Sequence, residues 1–249
     1  MTTLGALLSA AVATDPTRPL VTYYDDGTGE RAELSGATLA NWVAKTANLV
    51  VDSVGAQPQE VALVRVPPHW QTAAVLLGCW SAGLIVTTVP LPSGVSVAFL
   101  GTDVPDAAPD PAVAGERYVL GLRPLGMPLP LDQIPAGCVD FNSEVRGHGD
   151  RFVPIVPARD NMPAVPGSTH GELVDRAAAR AAELGIGAGD RVLVDAARYP
   201  DDLDWLLAPL AAGASIVLCG HLDPARLAAR AAAERVTVTL ADPGSAKGL

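Results

Sequence analysis

One order of apolar and polar positions occurs twice along the chain. From Thr38, residues Leu39, Val43, Ala47, Leu49 and Val50 fall at helical spacing; a Val54-Gly55 exit follows, then the unbroken apolar run Val61-Ala62-Leu63-Val64. After the break at Pro67-Pro68 the pattern predicts a helix from His69 to Trp80, an Ala82-Gly83 turn and a strand over Leu84 to Val89. From Thr169 the order returns: Leu173, Ala177, Ala181 and Leu184 on a helix, Gly185 to Asp190 as a turn, and Arg191 to Val194 as a strand. Tyr199-Pro200, a helix through Trp205 and Leu210, Ala212-Gly213 and a strand over Ser215 to Leu218 complete the second copy.

Helix, turn, strand, helix, Ala-Gly, strand is an order that yields parallel strands joined by crossover helices. The strands Val61 to Val64 and Ile216 to Leu218 lack polar alternation, as strands covered on both faces do. Between the copies, Pro90 to Pro166 is rich in Pro and Gly, yet Val95 to Leu100 and Glu116 to Leu122 read as strands extending the first sheet. Cys138 to Arg146 reads as a short helix. Asp223-Pro224 opens a last helix through Glu234, followed by a strand over Val236 to Leu240 and a polar tail. Met1 to Ala13 reads as a short docking helix. The expected class is α/β with two related parallel-sheet βα units. A first lobe over residues 1–158 carries an irregular Pro/Gly-rich extension, and a second over residues 159–249 joins it in one compact two-lobed unit.

Of the 249 residues, 49% are hydrophobic but only 4% aromatic, so the core must be built from Ala, Val and Leu at short distances. The formal charge of -10 opposes the field that nucleic acid or anionic lipid requires and argues against both as partners. The uncharged stretch Ala73 to Leu91 is about long enough for a membrane span. Ser81-Ala82-Gly83 interrupts it, and the β-branched run Ile85 to Val89 favours a buried helix, a turn and a strand. No charged segment precedes the apolar start as in a secretory signal, and Cys79, Cys138 and Cys219 lie far apart as reduced core residues, so a soluble cytoplasmic protein is expected.

The ordered segments resemble the N-terminal part of the adenylate-forming superfamily, meaning acyl- and aryl-CoA ligases, peptide-synthetase adenylation domains and luciferases. The resemblance is carried by the helix from Thr38, Val61-Ala62-Leu63 leading into His69-Trp70, and Leu76-Leu77-Gly78-Cys79-Trp80-Ser81-Ala82-Gly83. Leu184-Gly185-Ile186, Gly189-Asp190-Arg191-Val192, Leu207-Ala208-Pro209-Leu210, Ala212-Gly213-Ala214 and Glu234-Arg235-Val236-Thr237 continue it. The chain is also similar to a short stand-alone actinobacterial family distantly related to AMP-binding enzymes. The superfamily cradles ATP phosphates in a Ser/Thr/Gly-rich loop ending in Pro-Lys-Gly just before a helix. Here the corresponding place holds only Pro166-Gly167-Ser168-Thr169-His170-Gly171 without a lysine, and the only lysines are Lys45 and Lys247. The superfamily's magnesium-holding Tyr-Gly-x-Thr-Glu segment, its ribose-binding aspartate and its mobile C-terminal domain have no counterpart in the sequence.

Two readings of the loop remnant stand side by side. Thr169-x-x-Glu172 fits a capping box, and Gly167, Ser168, Thr169, His170 and Gly171 could retain an anion or nucleotide site at the helix start. His69 and Trp70, at a strand-to-helix turn where open α/β sheets bind ligands, are the other candidate contacts, weighed against simple packing. Gly185-x-Gly187-x-Gly189 ends a helix instead of opening one, so it reads as an exit turn, not a dinucleotide fingerprint. The four histidines lack metal-ligand spacing, no nucleophile elbow occurs, and Asp201, Asp202 and Asp204 most simply favour a helix start. No catalytic residue, metal or cofactor is assigned. The resemblance implies a degenerate relative that binds a small ligand, nucleotide or acyl-CoA, or regulates a partner. A ligase completed by a separate chain and a homodimeric interaction protein are the alternatives.

Overall fold

The computed structural model describes residues 2–91, 93–102 and 114–241. The elements run α1 (Leu4–Thr14), β1 (Pro19–Asp25), β2 (Glu30–Ser35), α2 (Gly36–Asn48), β3 (Val61–Arg65), α3 (Trp70–Ser81), β4 (Ile85–Thr87), β5 (Val95–Gly101) and β6 (Ala114–Leu120). They continue with β7 (Val139–Asp140), α4 (Phe141–Val145), β8 (Pro163–Val165), β9 (Ser168–Thr169), α5 (His170–Glu183) and β10 (Arg191–Asp195). Last come α6 (Ala208–Ala212), β11 (Ser215–Gly220), α7 (Leu227–Ala233) and β12 (Val238–Leu240). The anticipated order is present twice, as α2–β3–α3–β4 and as α5–β10–α6–β11.

One sheet has the order β4-β3-β5-β6-β7 and is parallel throughout, so β5 and β6 extend the first sheet as their apolar patterns predict. The other has the order β12-β10-β11-β1-β2, with only β2 antiparallel. The hairpin β1–β2 is not among the elements marked by the sequence pattern, although Glu30–Ser35 alternates buried and exposed side chains around a turn at Gly27 to Gly29. Through the pairing of Val21 with Ile216 and Tyr23 with Leu218, residues 19–35 lie in the sheet of residues 191–240. The two sheets therefore do not divide the chain at residue 158.

Helices α1 to α5 begin where a side chain replaces missing backbone partners. Ser35 Oγ accepts from Thr38 N–H, His69 Nδ1 from Gln71 N–H, and Asp140 Oδ2 from Ser143 N–H. Gly83 and Gly213, at φ +82° and +74°, make the turns after α3 and α6 in the left-handed region expected of the repeated Ala-Gly pair. The strand expected over Leu84 to Val89 stops at Thr87, whose hydroxyl donates to Val89 O and accepts from Val89 N–H, folding the chain away from the sheet. The helix expected through Trp205 opens instead as a π-turn, Leu203–Leu207, in which Ala208 N–H donates to Leu203 O. It runs into α6, where Pro209 has no N–H to donate. Residues 73–91 form most of α3, a turn and β4. No helix among the described residues is long and apolar enough to cross a membrane. The polar tail beyond Ala241 lies outside the described residues.

The main core lies between the sheets and around α2 and α3, and small side chains let these helices approach closely. A Cβ on Gly78 of α3 would lie 2.6 Å from Thr46 Cβ and 3.2 Å from Val43 O of α2. Thr46 is fully buried and cannot retreat. Gly78→Ala is therefore expected to lower stability by about 1–3 kcal/mol through overpacking, outweighing any gain in helix propensity. Urea unfolding at pH 7 checks this, with a midpoint at or above wild type as the contrary result.

Candidate functional site

The place corresponding to a phosphate loop is a tight hairpin. β8 and β9 pair Val165 with Ser168, leaving Pro166 and Gly167 as the turn; Gly167 sits at φ +82°, the combination a type II turn asks for. Directly after it, every amide at the start of α5 has a partner within the chain. Thr169 N–H donates to Glu172 Oε2 at 2.8 Å and Glu172 N–H to Thr169 Oγ1 at 3.3 Å, closing the capping box. His170 N–H donates to Met162 O at 2.9 Å and Gly171 N–H to Asp160 O at 2.7 Å. These four donors are unavailable to a phosphate in this conformation. The His170 ring is fully buried, neither of its nitrogens has a partner, and burial lowers its pKa.

His69 and Trp70 are placed elsewhere, against the hairpin β1–β2 and α2. The His69 ring meets Tyr23 edge-on at 4.2 Å between centroids, and Trp70 meets Trp42 at 5.1 Å. Both are buried, and burial drops the His69 pKa to about 3. Of the seven sequence candidates none lines the large cleft of the molecule, and the two groups are not brought together. Their chain neighbours do line it: Pro67, Pro68 and Thr72 on one side, Val165, Pro166 and Leu173 on the other.

This cleft, of about 880 Å³, opens at the carboxyl ends of β3 and β4, between α3 and the start of α5, where parallel sheets characteristically expose ligand sites. Its walls are largely apolar, with Val64, Val86, Leu173, Leu203 and Leu207 among them. Two guanidiniums stand in it, Arg65 at the end of β3 and Arg176 on α5, and neither has a hydrogen-bond or ion-pair partner among the described residues. In the sequence both look like ordinary surface cations. Opposite stand Asp201 and Asp202. Asp201 Oδ1 accepts from Leu203 N–H at 2.9 Å, as the helix-start reading expects, whereas Asp202 Oδ1 accepts from Trp205 Nε1 at 3.0 Å. Burial pushes the Asp202 carboxyl up to about 7; the Trp205 bond opposes the shift and the Asp201 charge adds to it. Asp204 turns away to a two-point ion pair with Arg180, at 2.7 and 3.3 Å, fixing the π-turn to α5 and with it one wall of the cleft. Trp80 Nε1 donates to Ala164 O at 2.9 Å and holds β8 to α3.

The arrangement has clear relatives in fold. It is similar to the N-terminal domain of FACL13 from Mycobacterium tuberculosis (TM-score 0.71, 16% identity), of which it covers 62% with 96% of its own length. It is likewise similar to Brucella canis acyl-CoA synthetase (TM-score 0.74, 16% identity, 96% of this chain, 47% of that one). The anthranilate CoA ligase AuaEII, solved in complex with anthranoyl-AMP, matches at TM-score 0.68 and 13% identity over 96% of this chain and 48% of the ligase. The chain thus spans roughly half to three-fifths of the length of these structures, and the shared fold is that of the N-terminal part of adenylate-forming enzymes. No protein-family profile matches the sequence. A protein of Mycobacterium tuberculosis strain H37Rv, described as a TIGR03089 family protein, is 44% identical over 240 residues, 95% of this chain and 97% of the relative. With a relative that near along almost the whole length, the chain belongs to the TIGR03089 family.

Proposed function

We propose that this chain binds a small anionic ligand with an apolar body in the cleft between α3 and α5, and does not by itself adenylate it. The observation that carries the reading is the pair of unpartnered guanidiniums, Arg65 and Arg176, in an otherwise largely apolar cleft of a chain whose net charge is -10. Unpaired cations in such a setting suit a carboxylate or phosphate head, and the apolar walls suit an acyl or aryl body. Adenylation is disfavoured because the amides at the start of α5 are occupied, the preceding turn is two residues long, and no lysine stands in or beside it. A second reading is favoured by coverage: because the chain spans only part of the ligases it resembles, a separate chain could supply the missing groups.

Thermal unfolding with octanoate, benzoate, AMP, ATP, CoA and octanoyl-CoA tests binding. A ligand at a hundred times its dissociation constant adds about 2.7 kcal/mol, roughly 5–10 °C for a chain this size. At least one apolar anion should raise the melting temperature, and the Arg65→Ala/Arg176→Ala double variant should lose that response. No shift with any of the six counts against the reading. Pyrophosphate exchange with ATP and the two acids should stay at background, and robust exchange by the isolated chain would reinstate an enzyme.

The raised Asp202 carboxyl adds a pH signature. Its folded pKa, about 7, exceeds the unfolded value, so holding it ionised costs stability fully above pH 7 and not at all below pH 4. Asp202→Asn, which keeps an acceptor for Trp205, should stabilise the chain by about 2–4 kcal/mol at pH 8, with the gain fading toward pH 4. Urea denaturation across that range measures it, and a gain independent of pH refutes the assignment.

A further inference from the structure

The cleft between α3 and α5 carries charges of both signs and leaves them unneutralised. Arg65 comes from the end of β3, Arg176 from α5, and Asp201 and Asp202 from the residues just before the π-turn. Neither guanidinium has a hydrogen-bond or ion-pair partner among the described residues. Each carboxyl uses only one oxygen: Asp201 Oδ1 accepts from Leu203 N–H and Asp202 Oδ1 from Trp205 Nε1, and neither Oδ2 has a partner among the described residues. These same elements pair charges one helical turn further on, where Arg180 closes on Asp204 at 2.7 Å. Arg176 makes no such pair with Asp201 or Asp202. No guanidinium draws the Asp202 carboxyl down either: burial and the Asp201 charge raise it to about 7, opposed only by the Trp205 bond.

Cations and carboxyls of one cleft are thus held apart, each without a counter-charge. Three neutral polar groups on its wall are already spent on backbone carbonyls: Thr72 Oγ1 donates to Pro67 O at 2.6 Å, Thr87 Oγ1 to Val89 O at 3.0 Å and Trp80 Nε1 to Ala164 O at 2.9 Å. What remains for a ligand is two cations, two free carboxylate oxygens and apolar surface. An apolar anion answers the guanidiniums alone and strips water from the carboxyls without pairing them, which costs free energy. A ligand that also carries an ammonium answers both, through charge-assisted hydrogen bonds at each end. Since the groups that receive them do not reach one another, its two charges lie at opposite ends of the apolar body and not on one carbon.

Resting on the anion reading above, we propose that the cleft takes an ω-amino acid, with its carboxylate on Arg65 and Arg176, its apolar body along Val86, Leu173 and Leu207, and its terminal ammonium on Asp201 and Asp202. The sign of the amine's effect is diagnostic. An ammonium entering an apolar cleft without a counter-charge loses hydration and weakens binding, so only unpaired carboxyls in the cleft turn the added amine into a gain. At pH 8 both ends of such a ligand are charged and Asp202 is largely ionised.

Calorimetric titration of the full chain at pH 8 compares octanoate, ω-aminooctanoate, α-aminooctanoate and octylamine, with p-toluate and p-(aminomethyl)benzoate as the aryl pair. In at least one series the terminal amine should tighten binding about tenfold over the plain acid, and α-aminooctanoate and octylamine should show no such gain. The Asp201→Asn/Asp202→Asn double variant keeps acceptor oxygens for Leu203 N–H and Trp205 Nε1. It should bind the plain acid at least as tightly as wild type, which certifies the fold, and lose the gain from the amine. If the plain acids bind and the amine adds nothing in either series, the ω-amino acid is overturned while the anion reading stands. A gain that persists in the double variant, or that α-aminooctanoate matches, also overturns it, as does a double variant that loses the plain acid too. If none of these compounds binds, the anion reading and the ω-amino acid fall together.

Discussion

The parallel pairing of β1 with β11 is the contact on which the remaining geometry depends. It joins Val21 to Ile216 and Asp25 to Gly220, residues 195 positions apart, and so closes almost the whole chain into one loop. Without it the hairpin β1–β2 would have no sheet, and Tyr23 would have no fixed place against His69 at the start of α3. α1 packs against α5 and α6 as well as against α2 and α3, so the helices of the two sheets meet around it. An entropically costly closure of this kind is sustained by burial: Val21 and Ile216 are fully buried, and β11 and its neighbour β10 carry unbroken apolar runs.

Within that frame the carboxyl ends of β3 and β4 open onto a cleft, the turn beside it is only Pro166-Gly167, and the amides at the start of α5 are spent on Asp160, Met162, Thr169 and Glu172. Electrostatically the cleft differs from the chain as a whole, which is strongly acidic: Arg65 and Arg176 stand unpaired there beside the carboxyls of Asp201 and Asp202. A field focused in a low-dielectric groove acts over a few ångströms, whereas the net charge is screened beyond about 10 Å, so the local pair governs what the cleft attracts.

What could be read from the sequence follows from how local each signal is. The repeated βα order was legible because parallel strands covered on both faces are unbroken apolar runs, and the capping box because Thr169 and Glu172 lie three residues apart. The hairpin β1–β2 was overlooked although Gly27 and Gly29 supply its turn, since its partner strand lies in the last third of the chain. The cleft cations have no signal: Arg65 ends a strand, Arg176 is one of several polar positions along α5, and only the assembled fold sets them into one cleft. Candidate residues chosen for their place beside a motif therefore fell one or two positions short of the surface that faces the cleft.

Two buried ionisable groups on different sides of the core carry costs of opposite pH dependence. His69, with a folded pKa near 3, binds fewer protons folded than unfolded between about pH 3 and 6.5, so its contribution to stability rises with pH across that window. Asp202, with a folded pKa near 7, binds more protons folded than unfolded between about pH 4 and 7, so its contribution falls with pH over nearly the same range. Each slope approaches about 1.4 kcal/mol per pH unit, and the signs are opposite. From about pH 4 to 6.5 these two contributions oppose one another, while buried His170, its pKa also lowered, adds to the rise with pH. A change that removes the Asp202 carboxyl therefore leaves the acid sensitivity of the buried imidazoles His69 and His170 unopposed by it.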